Sequence, residues 1–169
     1  MTGNPSKPYD LISLIESEQD TILEKLTGLE KCSWEIEEAG MTETVYNKVK
    51  TLHDFIFKDL TRYFTLEEML LFPELEKVMP AHSSSATMKE EHARILGISE
   101  AIDELLQSRD KSGKEKEKIQ AELISLVDIL QRHIHKKNHV LYHEVQTMLS
   151  PDIQKSIYEK MIKSVNSED

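Results

Sequence analysis

The sequence predicts an all-α protein, an up-down-up-down four-helix bundle closed by a short fifth helix. Three observations predict it. Apolar residues recur at spacings of three, four and seven along nearly the whole chain. The 169 residues include only five Gly and five Pro, too few for an all-β fold that turns every ~10 residues. Hydrophobic residues make up 38% and charged residues 31%, enough apolar material for a single core, and no apolar run approaches the ~18 residues of a membrane span.

Each element follows from the pattern. Residues 1–9 are polar, contain two prolines and read as a flexible N-terminal arm; residues 10–169 read as the bundle domain. Ile15, Ile22, Leu26, Leu29 and Ile36 form the stripe of a first helix from about Asp10 to Glu38. Gly40 suits its C-cap and Thr42 the N-cap of the next helix. Val49, Leu52, Ile56, Tyr63 and Leu70 carry that second helix, which Pro73 is expected to bend or weaken and Pro80 to stop. Residues 82–87 read as a loop ending in capping residues. His92, Ile95, Ile102 and Leu106 carry the third helix. Residues 108–118 alternate in charge around Gly113, a solvated turn in which Ser112 and Glu115 have capping-box spacing. The fourth helix runs to about Leu149 with Ile119, Leu123, Leu126, Leu130, Val140 and Met148 on its stripe. Ser150 and Pro151 are an N-cap and first-turn pair for the short fifth helix.

Charge and cysteine content narrow the function classes. A net charge of −10 works against nucleic acid or an anionic membrane as partner, because both need clustered positive charge. The one cysteine, Cys32, allows no internal disulfide, and no signal peptide is evident, so a cytoplasmic location is expected. There is no Ser/His/Asp arrangement, Gly-rich phosphate loop or Cys-x-x-Cys pair, and no enzymatic activity is predicted.

Polar residues share the apolar stripes at one height. Gln19 lies between Ile15 and Ile22, and Glu67 lies four after Tyr63 and three before Leu70. His92 lies between Met88 and Ile95, and Lys137 lies four after His133 and three before Val140. Antiparallel packing can bring them into one layer. A buried charge needs a partner or a metal. Glu67, His92 and His133 are residue types that bind a first-row transition metal. A metal-free polar layer satisfies the same pattern: Lys137 pairs with Glu67, and Tyr63 and Gln19 add hydrogen bonds.

Four stretches go further. They are Glu18-Gln19-Asp20-Thr21-Ile22-Leu23; Tyr63-Phe64-Thr65-Leu66-Glu67-Glu68 followed by Leu71-Phe72-Pro73; Met88-Lys89-Glu90-Glu91-His92; and the run from His133 through Lys137 to Tyr142. In order, they resemble the Glu-His opening, the His-Phe-x-x-Glu-Glu and Leu-Phe-Pro motif, the Met-x-x-Glu-His motif and the His-Ile-x-Lys-Glu-Asn-x-Val-Leu-Phe motif of the hemerythrin-like HHE cation-binding family. The resemblance covers about residues 10–149. It implies a helical bundle with two irons at mid-height, held by histidines and bridging carboxylates. Glu67 matches a bridging glutamate, and His92 and His133 match histidine ligands. Gln19 and Tyr63 stand where histidines are expected, Met88 where some members have another, and Lys137 where a second bridging carboxylate belongs.

The losses fall on one iron, so the resemblance implies something other than a di-iron oxygen carrier. One reading is a single iron or other divalent metal on Glu67, His92 and His133. Water or Glu68 completes that set, and a small gas ligand is a candidate partner. The other is a metal-free interaction or regulatory module, binding a protein partner, with a Lys-Glu-Tyr-His polar core. A tetrapyrrole held by His133, or by His92 with Met88, finds no supporting small residues. Other residues read as bland. His135, His139 and His143 form an exposed ridge able to pick up zinc from buffer. His53 is ten residues, ~15 Å, from Tyr63, too far to replace a lost ligand. His82 is a solvated loop residue, Cys32 a small, partly buried apolar one, and Trp34 a cover for the bundle end.

Overall fold

In the computed structural model, residues 10–108 and 113–167 are described, and all their regular structure is helical. The arm at 1–9 and the Ser112 capping box lie outside the described residues. The elements are α1 (Leu11–Ala39), α2 (Glu43–Leu66), α3 (Phe72–Val78), α4 (Ser85–Ser108), α5 (Gly113–Lys136), α6 (Tyr142–Met148) and α7 (Pro151–Asn166). A π-helical turn, Glu67–Leu71, joins α2 to α3 in one continuous rod, and a second, Lys137–Leu141, joins α5 to α6.

Local chemistry sets the boundaries. Asp10 caps α1 by accepting from the Ile12 and Ser13 amides at 3.1 and 3.3 Å. Gly40 ends α1 at φ 81°, where a side chain would be strained, and its amide donates to the Ile36 carbonyl at 3.0 Å. The Thr42 hydroxyl accepts from the Val45 amide at 3.2 Å, and Ser150 caps α7 ahead of Pro151. α4 begins at Ser85, inside the expected loop. Its start is held from across the bundle by the Glu144 carboxylate, which accepts from the Ser84 amide at 3.0 Å and hydroxyl at 2.8 Å.

α1 packs on α2 and α5, and α4 packs on the same two helices, so the four long rods close into a bundle. The core is split. One apolar cluster holds Ile22, Leu26, Ile56, Phe64, Ile95 and Leu130. The other holds Ile15, Leu71, Phe72, Met88, Leu141 and Val145, and α7 covers it with Ile157 and Met161. Every rod passes between the clusters at a polar residue: Gln19, Glu67, His92, and His133 with Lys137.

The π turns correct the predicted stripes. Pro73 does not break its rod. The turn just before it routes the Phe72 amide to the Glu67 carbonyl, five residues back, and the helix continues. Each turn takes in one extra residue, so the core positions beyond it slip by one. Leu71 is fully buried where Leu70 was expected, and Leu141 where Val140 was expected; Val140 is exposed. The slip persists, so Leu149 is buried and Met148 exposed. Trp34 is more than half exposed and does not seal the bundle end, whereas Cys32 is fully buried.

Candidate metal centre

α2, with its π turn, delivers Phe64, Glu67 and Glu68; α4 delivers Met88, Glu91 and His92; α5 and its π turn deliver His133 and Lys137. Glu67, His92, His133 and Lys137 are each at most 4% exposed. The Glu67 Oε1 accepts a charge-assisted hydrogen bond from the Lys137 ammonium. The Glu67 Oε2 lies 3.3 Å from His92 Nε2, in attractive range but without hydrogen-bond geometry. Burial alone would raise the Glu67 carboxyl; the Lys137 ammonium and His92 outweigh it and hold the group at about 2.

Both imidazoles are tethered from behind. His92 Nδ1 is 2.7 Å from Glu68 Oε1, and His133 Nδ1 is 2.8 Å from Glu91 Oε2. Lys136 holds the other Glu91 oxygen. A carboxylate only accepts, so Nδ1 carries a proton on each ring, and each Nε2 faces the layer. Burial, then the Lys137 charge, lowers His133 to about 4, and the ring is neutral at pH 7. Phe64 stacks on His92 with centroids 3.7 Å apart, and the two imidazoles meet edge to face at 5.1 Å.

The polar accounting is unbalanced at one place. His92 Nε2, His133 Nε2 and Glu67 Oε2 are buried with no hydrogen-bond partner. Orphaned buried polar atoms cost about 1–3 kcal/mol each, and a shared cation would satisfy all three. The 3.3 Å between His92 Nε2 and Glu67 Oε2 matches two donors ~2.1 Å from one ion. His133 Nε2 has further to come: Glu67, His92 and His133 are not among the triads whose donor atoms all lie within 4.8 Å.

The other half of the layer holds Gln19, Tyr63 and Lys137 in place of histidine or carboxylate side chains. Gln19 is buried with its Nε2 unpartnered. Tyr63 does not join the Lys137–Glu67 pair, as the metal-free reading expected; its hydroxyl accepts from Arg62 at 2.9 Å. A cavity of about 20 Å³, room for roughly one water, lies among Glu18, Gln19, Tyr63, His133 and Lys137. Met88 is buried in the apolar cluster beneath His92. Glu68, considered as an additional ligand, sits behind the His92 ring on Nδ1, away from the orphaned atoms.

Sequence reasoning missed Glu91, Glu18 and Tyr142. Glu91 lies one residue before His92 in the Met-x-x-Glu-His motif, but its reach to α5 is a tertiary fact. Glu18 stands beside the cavity. Burial, only partly offset by Arg62 and reinforced by the Glu67 charge, lifts its carboxyl to about 7. Tyr142 stands where the family pattern has Phe, and its hydroxyl is buried without a partner. His135, His139 and His143 are exposed as expected. No helix among the described residues is long and apolar enough to cross a membrane.

A search of curated proteins returns no match. A scan against protein-family models matches residues 10–145 to the hemerythrin HHE cation binding domain. That span contains three of the long rods, nearly all of the fourth and all the residues of the mid-bundle layer, so the chain belongs to the hemerythrin HHE cation-binding domain family.

Proposed function

We propose that this protein binds a single divalent metal ion, iron foremost, at Glu67, His92 and His133, in a binding or sensing role and not as a di-iron oxygen carrier. The observation that carries the reading is three buried donor atoms without hydrogen-bond partners in one layer, on Glu67 in the first π turn, His92 on α4 and His133 on α5, the first two 3.3 Å apart. The tethers at Glu68 and Glu91 support it. Imidazoles that bind metals are usually held this way, with Nδ1–H on a carboxylate and Nε2 free. Two imidazoles and one carboxylate leave coordination positions open, and a metal there supplies a place for a small ligand such as a gas. Lys137 fills the position of the second bridging carboxylate, and its charge repels a second dication.

The Lys137–Glu67 ion pair also favours a second reading, a metal-free interaction or regulatory module in which the ammonium replaces the metal. Metal analysis of protein purified without an affinity tag, followed by anaerobic ferrous titration, separates the readings. One iron per chain, lost in His92→Gln and His133→Gln, is the expected result. Two irons per chain would mean that other donors replace Gln19, Tyr63 and Lys137. No binding at micromolar ferrous ion would leave the metal-free module.

A further inference from the structure

We propose a second, peripheral divalent-cation site at His53 and Asp54 on α2 and Asp103 on α4, separate from the mid-bundle layer. One donor atom from each of the three side chains lies within 4.8 Å of the other two. His53 is 14 residues from Glu67 along α2, ~21 Å, so this cluster shares no ligand with the layer.

The buried histidine distinguishes this cluster from an ordinary acidic patch. His53 is 1% exposed, and neither ring nitrogen has a hydrogen-bond partner. The Ser99 carbonyl approaches the ring without forming a well-aligned hydrogen bond, and Nδ1 is 3.9 Å from Asp54 Oδ1, too far for one. A buried imidazole without a hydrogen-bond partner, its donor atom within 4.8 Å of two carboxylates, is suited to share a cation with them.

The carboxylates are each oriented from one side. Asp103 Oδ2 accepts from Gln107 Nε2 at 2.6 Å. Asp54 Oδ2 is paired with the exposed Lys50 at 3.1 Å, and Lys50 is 3.5 Å from Oδ1. Lys50 is therefore the competitor that an ion displaces. One nitrogen and two carboxylate oxygens suit manganese, ferrous iron or zinc. Donors sharing one such ion stand ~3 Å apart, so the aspartates close inward by ~1–2 Å, a rotamer adjustment for partly exposed side chains. The bound ion then clips α2 to α4.

Manganous ion is the probe, because it favours carboxylates over the exposed His135–His139–His143 ridge. Metal-stripped full-length protein is titrated with it and followed by paramagnetic broadening of backbone amides, with free ion counted by electron paramagnetic resonance. Broadening centred on residues 50–57 and 99–107 is expected, in the parent chain and equally in the double variant Glu67→Gln/His92→Gln. Asp103→Asn and, separately, the exposed Asp54→Asn should each weaken this binding at least tenfold while circular dichroism stays unchanged. Broadening confined to the mid-bundle residues or to the acidic run at Glu35–Glu38 would overturn the proposal. So would affinity at residues 50–57 that neither asparagine variant alters. Failure of the mid-bundle reading shows separately, as absence of broadening near Glu67 and His133.

Discussion

Lys137 and Glu67 keep only 5% and 3% of their side-chain surface, so removing either partner leaves the other buried without its counter-charge. Lys137→Glu separates the two readings of the layer. Without metal the substitution sets two carboxylates against each other in the core, and a loss of ~3–5 kcal/mol is expected in chemical denaturation. Ferrous ion should restore most of that loss, because the change supplies another carboxylate beside His133. Destabilisation that iron leaves untouched would count against the single-metal site; an unmoved midpoint without iron would show that the ion pair carries no stability. Glu18 makes a pH prediction. Its carboxyl sits at about 7 in the folded chain against an ordinary value of 4.5, so the native state holds the proton more tightly than the unfolded state. Its contribution therefore erodes stability as pH rises from 4.5 to about 7, and the deficit stays constant above that. Glu18→Gln should raise the denaturation midpoint at pH 8 and leave it nearly unchanged at pH 4. Equal effects at both pH values would mean that Glu18 titrates normally. Gln19 and Lys137 were legible in the sequence as polar residues within apolar stripes, and Tyr63 through its place in the motif that resembles the family's. The partners of Tyr63 and His133, which are Arg62 and Glu91, were not, because hydrogen bonding is decided by where neighbouring side chains end.

At the scale of the element, the two π turns position the site. Glu67 and Lys137 are the first residues of their turns, and the ion pair joins one turn to the other. The widened turns also let Leu71 and Leu141 return to the core four residues later instead of three. A spacing rule built on 3.6 residues per turn cannot see an inserted residue, so it nominated Leu70 and Val140. Deletion tests this directly. Removing the exposed His139 should convert the second turn to regular α-helix and leave Leu141, Val145 and Leu149 facing the core. A cost of ~1–3 kcal/mol is expected. Removing the equally exposed Ile124 from regular α5 rotates every later residue by about 100°, and that chain should not fold. Comparable denaturation midpoints for the two deletions would refute the register argument.

At the scale of the molecule, the polar layer separates two apolar clusters, and α7 belongs to one of them although the family match ends at residue 145. Ile157 and Met161 are each 3% exposed against the end that holds Leu11 and Phe72. Burying one such side chain contributes about 1.5–3 kcal/mol, so truncation after Ser150 should cost ~3–6 kcal/mol. The truncated chain should also bind a hydrophobic dye at the uncovered end. An unshifted midpoint would make α7 an accessory helix. Metal binding acts on the same scale. The candidate ligands come from three rods, so ferrous ion at a hundred times its dissociation constant should stabilise the whole chain by ~2.7 kcal/mol. His133→Gln should abolish that gain, as read by thermal unfolding with and without iron.

The helical class, most of the helix ends and the height of the polar layer are legible in the amino-acid order. Each of these rests on local causes: apolar periodicity, the cap chemistry of Asp10, Gly40, Thr42 and Ser150, and the polar positions that interrupt the stripes. Tertiary structure alone decided which atoms in that layer are satisfied. Glu68 and Glu91 tether the imidazoles, Tyr63 turns to Arg62, and three donor atoms are left facing inward without partners. Those outcomes depend on side chains from different rods meeting within about 3 Å, and periodicity along one helix carries no information about the end of another. The burial of His53 beside Asp54 and Asp103 has the same origin. Spacing placed that histidine too far along α2 to serve the layer, and only the packing of α4 brought a second carboxylate to it.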